Sequence, residues 1–217
     1  MKTLHGVILS PYVRKVRIML EEKNVAYALN LVIPFNAPAD FKKISPLGKI
    51  PVLSEGDLNL ADSSVIAAYL EKAHPEQALY PVEAVPYAQA LWFEEYADTA
   101  LAQVTLRKIF MPKIVAPALM GKALDINAIT EAVEKELPPL LDYLEAQIKG
   151  KSYFVGDNFT IADISVISPL VNYLHAGYSL DTTCWPHLAA YLQQQLERPS
   201  FKKCLIEEQA FMQNFLS

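Results

Sequence analysis

Hydrophobic positions in the first eighty residues come in short runs separated by turn chemistry. Residues 4–9 form an apolar run of strand type. Ser10-Pro11 then opens a segment in which Val13, Val16, Arg17 and Leu20 fall at helical spacing. Residues 27–32 read as a second short strand, and residues 38–44 as a weak helix that ends in the turn Ser45-Pro46-Leu47-Gly48. The runs 50–54 and 58–60 flank Glu55-Gly56-Asp57, the pattern of a tight antiparallel hairpin. Asp62-Ser63-Ser64 then caps a helix that continues through Val65, Ile66, Tyr69 and Leu70 to about Ala73. The order βαβαββα predicts a small mixed sheet, its first two strands parallel across a helical crossover and its hairpin antiparallel.

Beyond this point the pattern changes. Residues 74–86 carry Pro75, Pro81 and Pro86 around a polar stretch and read as a linker. Helical periodicity then takes over at about 87–110, 127–148, 160–174 and 186–196. The expected fold class is therefore α/β plus all-α, with domains at 1–78 and 87–217. Within the second half, Thr160 followed three residues later by Asp163 has the spacing of a capping box, and Phe159 with Ile164 that of a hydrophobic staple.

Composition narrows the function. With 217 residues, 52% of them hydrophobic and 20% charged, the chain can bury a sizeable core. Its net charge of -5 and scattered basic residues offer no phosphate-neutralising stripe, so nucleic acid is not an expected partner. Cys184 and Cys204 are too few and too far apart for a metal set; both read as buried or inert thiols, and no metal is expected. The histidines His5, His74, His175 and His187 suggest neither a triad nor a metal site. The N-terminal apolar stretch is a poor signal peptide, interrupted by His5 and Pro11 and followed by Arg14, Lys15 and Arg17 on the wrong side. The longest apolar stretch, 161–174, contains Asp163 and is too short to span a bilayer. A cytoplasmic protein without a membrane partner is expected.

Four features stand out chemically, each with a plain structural alternative. Ser10 precedes Pro11 at a helix start, where its hydroxyl can donate to an anion or simply cap the helix. Ile50-Pro51 opens a strand, either as a cis bond that presents the backbone to a peptide or as a tolerated trans proline. Asp62 and Ser63 begin a helix, a corner suited to a bound carboxylate or to ordinary capping. Lys49 is a candidate anion partner or a solvated surface lysine, and Arg14 is open in the same way.

The run Ser45-Pro46-Leu47-Gly48-Lys49-Ile50-Pro51-Val52-Leu53, with Asp62-Ser63 opening a helix nine residues later, resembles the glutathione-binding half of the cytosolic glutathione transferases. Ser10-Pro11-Tyr12-Val13-Arg14-Lys15-Val16-Arg17 resembles the first turn of their serine-type members (theta, phi or zeta-like), here of a bacterial kind, and the similarity extends over the whole chain. The resemblance implies a thioredoxin-like first domain and an all-helical second one, with glutathione as cosubstrate and Ser10 as the catalytic donor to its sulfur. It implies glutathione binding by Ser10, Asn36, Lys49, Ile50, Pro51, Asp62 and Ser63, with Ile50-Pro51 cis, Asp62 facing the γ-glutamyl amine and Ser63 its carboxylate. A hydrophobic electrophile would lie among Tyr12, Phe35, Gln103, Val104, Arg107 and Phe110. The family's habit of pairing implies a homodimer. Other chemistries share this fold. A zeta-type isomerase prefers a Ser-Ser-Cys-like first turn where this chain has Leu9-Ser10-Pro11, and a reductase wants cysteine near position 10. A glutathione-dependent isomerase or peroxidase and a noncatalytic binding or scaffold protein stand as the alternatives.

Overall fold

The computed structural model describes residues 1–34 and 37–216, the last two by backbone alone. The chain divides into two compact units, Met1–Tyr80 and Pro81–Ser217.

The first unit is built on four short strands, β1 (Lys2–His5), β2 (Tyr27–Asn30), β3 (Val52–Glu55) and β4 (Leu58–Ala61), in the order β2-β1-β3-β4. β1 and β2 are parallel, joined through helix α1 (Pro11–Glu22), while β1–β3 and β3–β4 are antiparallel. A two-residue turn closes the hairpin, with Gly56 at φ 57 where a side chain would be strained. Two further helices, α2 (Phe41–Ile44) and α3 (Ser63–Ala73), complete the βαβαββα order expected from the pattern.

Alternation along the strands sends Leu4 and Leu53 to one face, both buried with the apolar stripes of α1 and α3 (Val13, Val16, Leu20, Ile66 and Leu70). On the other face Val52 joins Val32 and Phe41, the buried residue of α2, with Ile44, Ile50 and Ala61 packed around them. That face also carries a row of polar side chains, one from each strand. Asn30 Nδ2 lies 2.9 Å from His5 Nδ1, His5 Nε2 is 3.0 Å from Ser54 Oγ, and Ser54 donates to Asn59 Oδ1 at 2.6 Å. Burial pushes the His5 imidazole below its ordinary pKa.

The strand expected at 4–9 is displaced. Pairing stops at His5, and Ile8 and Leu9 are buried in a turn instead, so their hydrophobicity marks burial rather than extension. Arg14, placed between anion contact and solvation, is completely buried, as are Lys15 and Arg17 beside it. Long-range partners account for two of these: Arg17 Nε donates to Tyr27 Oη at 3.2 Å and Lys15 Nζ to Ser64 Oγ at 3.1 Å. The unit's last residues are pinned from within. Lys23 Nζ donates to the carbonyls of His74 (2.8 Å) and Gln77 (2.7 Å) and pairs with Glu71 at 2.7 Å. The Glu71 carboxylate in turn accepts from the amides of Leu79 and Tyr80.

The second unit is helical. A rod without a break in helical residues starts with α4 (Ala84–Tyr96), widens into π-helical stretches at Ala97–Leu101 and Gln103–Val115, and finishes as α5 (Ala116–Met120). It begins inside the expected linker and runs ten residues past the expected end. Pro112, which has no N–H for an α-helical ladder, lies inside the second wide stretch. Next come α6 (Ile126–Glu131), a π-helical turn Ala132–Glu136, α7 (Leu137–Ile148), α8 (Ile161–His175), α9 (Pro186–Leu196) and α10 (Pro199–Leu216). The last of these was not expected. Thirteen consecutive residues of α8, Ile161 to Tyr173, are buried, so this helix is the axis of the unit. Its start is the expected capping box: Thr160 Oγ1 accepts from the Ala162 amide at 3.3 Å and Asp163 Oδ2 from the Thr160 amide at 2.8 Å. Cys204 is buried and Cys184 is exposed.

Candidate functional site

The strand register gathers the chemistry-bearing segments of the first unit. His5, Val52 and Ala61 share one rung of the sheet, so the next positions, Gly6, Pro51 and Asp62, all leave the sheet at the same end. This is the C-terminal end of β1, flanked by a parallel partner on one side and an antiparallel one on the other. Open sheets form their crevices where successive connections diverge in this way. Both long helices of the unit also begin here. α1 follows β1, α3 follows β4, and each brings the positive end of its dipole.

Gly6 makes the close approach possible. A Cβ at this position would lie 2.5 Å from Val13 Cγ2 and 3.4 Å from Ile50 Cβ, so only glycine lets β1 run past α1 and the 50–51 segment. The chain then turns, with the Ser10 amide donating to the Val7 carbonyl at 3.0 Å, and α1 starts at Pro11. Ser10 occupies the N-cap position with extended backbone, and its carbonyl accepts from the Arg14 amide at 2.9 Å. Its side chain makes no capping hydrogen bond. The hydroxyl is therefore not spent on the role its position would suggest.

Asp62 behaves differently. Its Oδ1 accepts from the amides of Ser64 (2.9 Å) and Val65 (3.3 Å), a true N-cap, and its backbone sits at φ 82, ψ 132. Such a conformation costs a non-glycine residue about 1–3 kcal/mol and persists where the surroundings over-determine it. Ser63 is buried as the first residue of α3, and Lys15 reaches across from α1 to Ser64. Ile50-Pro51 is cis. Lys49 is exposed, and its carbonyl accepts a hydrogen bond of 2.7 Å from the buried Ser45 hydroxyl.

Comparison with known proteins places this geometry. The N-terminal domain model of glutathione S-transferases matches residues 4–78 and the C-terminal domain model matches 106–199. A glutathione S-transferase of Hyoscyamus muticus is 30% identical over 93% of this chain and 96% of that protein. The glutathione S-transferase GstB of Escherichia coli is 31% identical over 95% of this chain and 98% of its own. The chain belongs to the glutathione S-transferase family. Among solved structures, a glutathione S-transferase from Rhodospirillum rubrum superposes with a TM-score of 0.87 at 27% identity, covering 94% of this chain and 92% of that one.

Within this family frame, the structure brings Ser10, Ile50, Pro51, Asp62 and Ser63 to one end of one sheet. Asn36 and Phe35 lie outside the described residues. Of the other residues expected near an electrophile, Tyr12 is half-buried in the first turn of α1. In the helical unit, Gln103 and Arg107 are exposed one wide turn apart, whereas Val104 and Phe110 are buried in its core. A separate cleft of about 460 Å³ in that unit is walled by Trp92, Phe93, Tyr143 and Phe154 and shares none of these residues. Sequence reasoning passed over Gly6, Lys15 and Ser45. Gly6 carried a readable signal, a glycine directly after a strand, but the contacts of Lys15 and Ser45 appear only once the chain is folded.

Proposed function

We propose that this chain is a glutathione transferase in which Ser10 stabilises the thiolate of bound glutathione for attack on an electrophilic small molecule. The observation that carries the reading is the Ser10 hydroxyl, placed at the start of α1 and making no capping bond to its own helix. Family membership supports it, as does the convergence of two helix N-termini with the backbone of Ile50-Pro51 at one sheet end. Asp62, held at φ 82 at the N-cap of α3, faces the γ-glutamyl amine, and Ser63 takes the carboxylate. Lys49, with Asn36, serves the rest of the tripeptide. The electrophile rests against Tyr12, half-buried in the first turn of α1. With an aryl halide the sulfur forms the new C–S bond, halide leaves with its electron pair, and the thiol proton passes to solvent. No metal takes part.

The thiol sets the magnitude. At a pKa of about 8.5 roughly 3% of it is ionised at pH 7. A lowering of about 2 units raises this to about 75%, a pool about 25-fold larger. A less basic thiolate is also a weaker nucleophile, so the pool itself is the cleaner observable. In Ser10→Ala the ultraviolet absorbance of bound thiolate at pH 7 should fall about 25-fold while glutathione affinity holds within about two-fold. Aryl halide conjugation should fall with the pool, and the deficit should close toward pH 9. An unchanged ionisation curve in Ser10→Ala sinks the assignment.

The same reading makes the protein a cytoplasmic homodimer, the first unit of one subunit meeting the helical unit of the other. Exposed apolar side chains on both supply the surfaces, Leu58 and Val65 on the first, Val85, Leu91 and Trp92 on the second. Light scattering that returned the mass of one chain would remove the dimer.

A further inference from the structure

The turn between α2 and β3 contains a polar side chain to which the proposed function gives no task. Ser45 is completely buried although Leu47, two residues on, is 80% exposed and Pro46 and Lys49 are exposed as well. Its polar groups are all engaged. The amide donates to the Phe41 carbonyl at 2.9 Å and closes α2, and the carbonyl accepts from the Gly48 amide at 2.8 Å and closes the turn. Any residue could make those two bonds with its backbone. The third, from the hydroxyl to the Lys49 carbonyl at 2.7 Å, needs the side chain.

This third bond fixes the orientation of one peptide plane. In a planar trans peptide the C=O and N–H point in opposite directions, so drawing the Lys49 carbonyl onto Ser45 turns the Ile50 amide away from it. Pro51 has no N–H, and the β3 ladder starts only at Val52. The Ile50 amide is thus the last backbone N–H ahead of the ladder, at the sheet end where Ser10 and Asp62 lie. The Ile50 side chain packs against the Val32, Phe41 and Val52 cluster, which leaves the tilt of the peptide plane as the freedom that Ser45 removes.

We propose that Ser45 is a positioning residue for glutathione. Through the Lys49 carbonyl it presets the Ile50 amide to pair with the peptide backbone of the ligand, an inference that rests on the proposed function above. In Ser45→Ala the Lys49 carbonyl loses its donor and, on an exposed residue, can turn toward water, so the segment loses its orientation before the unit loses its fold.

The test uses the full chain as Ser45→Ala, Ser45→Cys and Ser45→Thr. Calorimetry gives the glutathione Kd, steady-state kinetics with an aryl halide give KM and kcat, and ultraviolet absorbance gives the thiol ionisation curve. Ser45→Ala should raise Kd and KM about 10-fold, equivalent to about 1.4 kcal/mol, with kcat at saturating glutathione and the ionisation curve within about two-fold of the parent. Ser45→Thr, which keeps the hydroxyl, should stay within about three-fold in Kd, and Ser45→Cys, a weak donor that preserves the fold if alanine does not, should fall between. An unchanged Kd in the alanine or cysteine variant, even with a lower unfolding midpoint, makes Ser45 a turn residue and overturns the proposal. A loss in kcat with KM unchanged overturns it as well. If the parent protein fails to bind glutathione, the proposed function falls together with the positioning role, whereas a parent that binds normally beside an equally tight alanine variant refutes the positioning role alone.

Discussion

Removal of Asp163 should strand several buried donors of the helical unit at once. Its carboxylate accepts from the Phe154 amide (3.0 Å), the Thr160 amide (2.8 Å), the Thr160 hydroxyl (3.1 Å) and the Tyr191 hydroxyl. All four donors belong to buried residues. Burial pushes the Asp163 carboxyl above its ordinary pKa, against these hydrogen bonds, which pull it down. In Asp163→Ala the Thr160 hydroxyl can rotate to another acceptor, while the two amides and the Tyr191 hydroxyl are left buried without one. At about 1 kcal/mol each, the low end for stranded donors, the loss is about 3 kcal/mol, and relief from burying a charge keeps it near that end. Urea unfolding followed by helical circular dichroism is the assay. With a slope of about 3 kcal/mol per molar, the midpoint should move down by about 1 M. Asp163→Asn, which keeps one acceptor oxygen, should lose less than alanine. Conjugation per folded molecule should not change. A midpoint unmoved by Asp163→Ala would mean that the α8 cap and its Tyr191 link contribute nothing, and the hydrogen-bond reasoning would fail.

Two further substitutions separate roles that share a residue. Asp62→Asn keeps an N-cap acceptor and tolerates the positive φ, so thermal stability should hold within about 0.5 kcal/mol while glutathione affinity drops about 10-fold through loss of the charge. An asparagine variant that titrates like the parent would leave Asp62 as a cap alone. For His5, the folded pKa lies below the ordinary 6.5 because of burial. Between those two values the unfolded chain binds a proton that the folded chain does not, so this contribution to stability is present at neutral pH and is lost as pH falls through 6.5. His5→Gln should flatten that part of the melting-temperature profile between about pH 7.5 and 5. Parallel profiles for the two proteins would refute the assignment.

Local chemistry was what the sequence made legible. The Glu55-Gly56-Asp57 turn fixed the hairpin, Asp62 fixed the start of α3, and the Thr160–Asp163 spacing fixed the start of α8, because in each case the side chain and its partner lie within a few residues. Long-range satisfaction was not legible. Arg14 read as an anion partner or a solvated side chain, and the burial of Lys15 and Arg17 beside it was not readable because Ser64 and Tyr27, their partners, lie on other elements. α10 was missed for a related reason. Its stripe of Phe201 and Cys204 is continued by Glu208, which is fully buried through a 2.8 Å pair with His175, so a charge occupies what the pattern would require to be apolar. At the candidate site, the residue types at positions 10, 50, 51, 62 and 63 were readable, but the uncommitted state of Ser10 and the Ser45 anchor depend on geometry that no spacing encodes.

The Lys23–Glu71 bracket decides where the first unit can be cut free. Its acceptors and donors reach forward to Gln77, Leu79 and Tyr80. A fragment ending at Ala78 would leave the Glu71 carboxylate with its lysine but without the two amides it gathers, and the final turn would fray from a buried cation. A fragment ending at Tyr80 keeps every bond of the bracket. For expression of this unit alone, the bonds place the cut after Tyr80 rather than after Ala78.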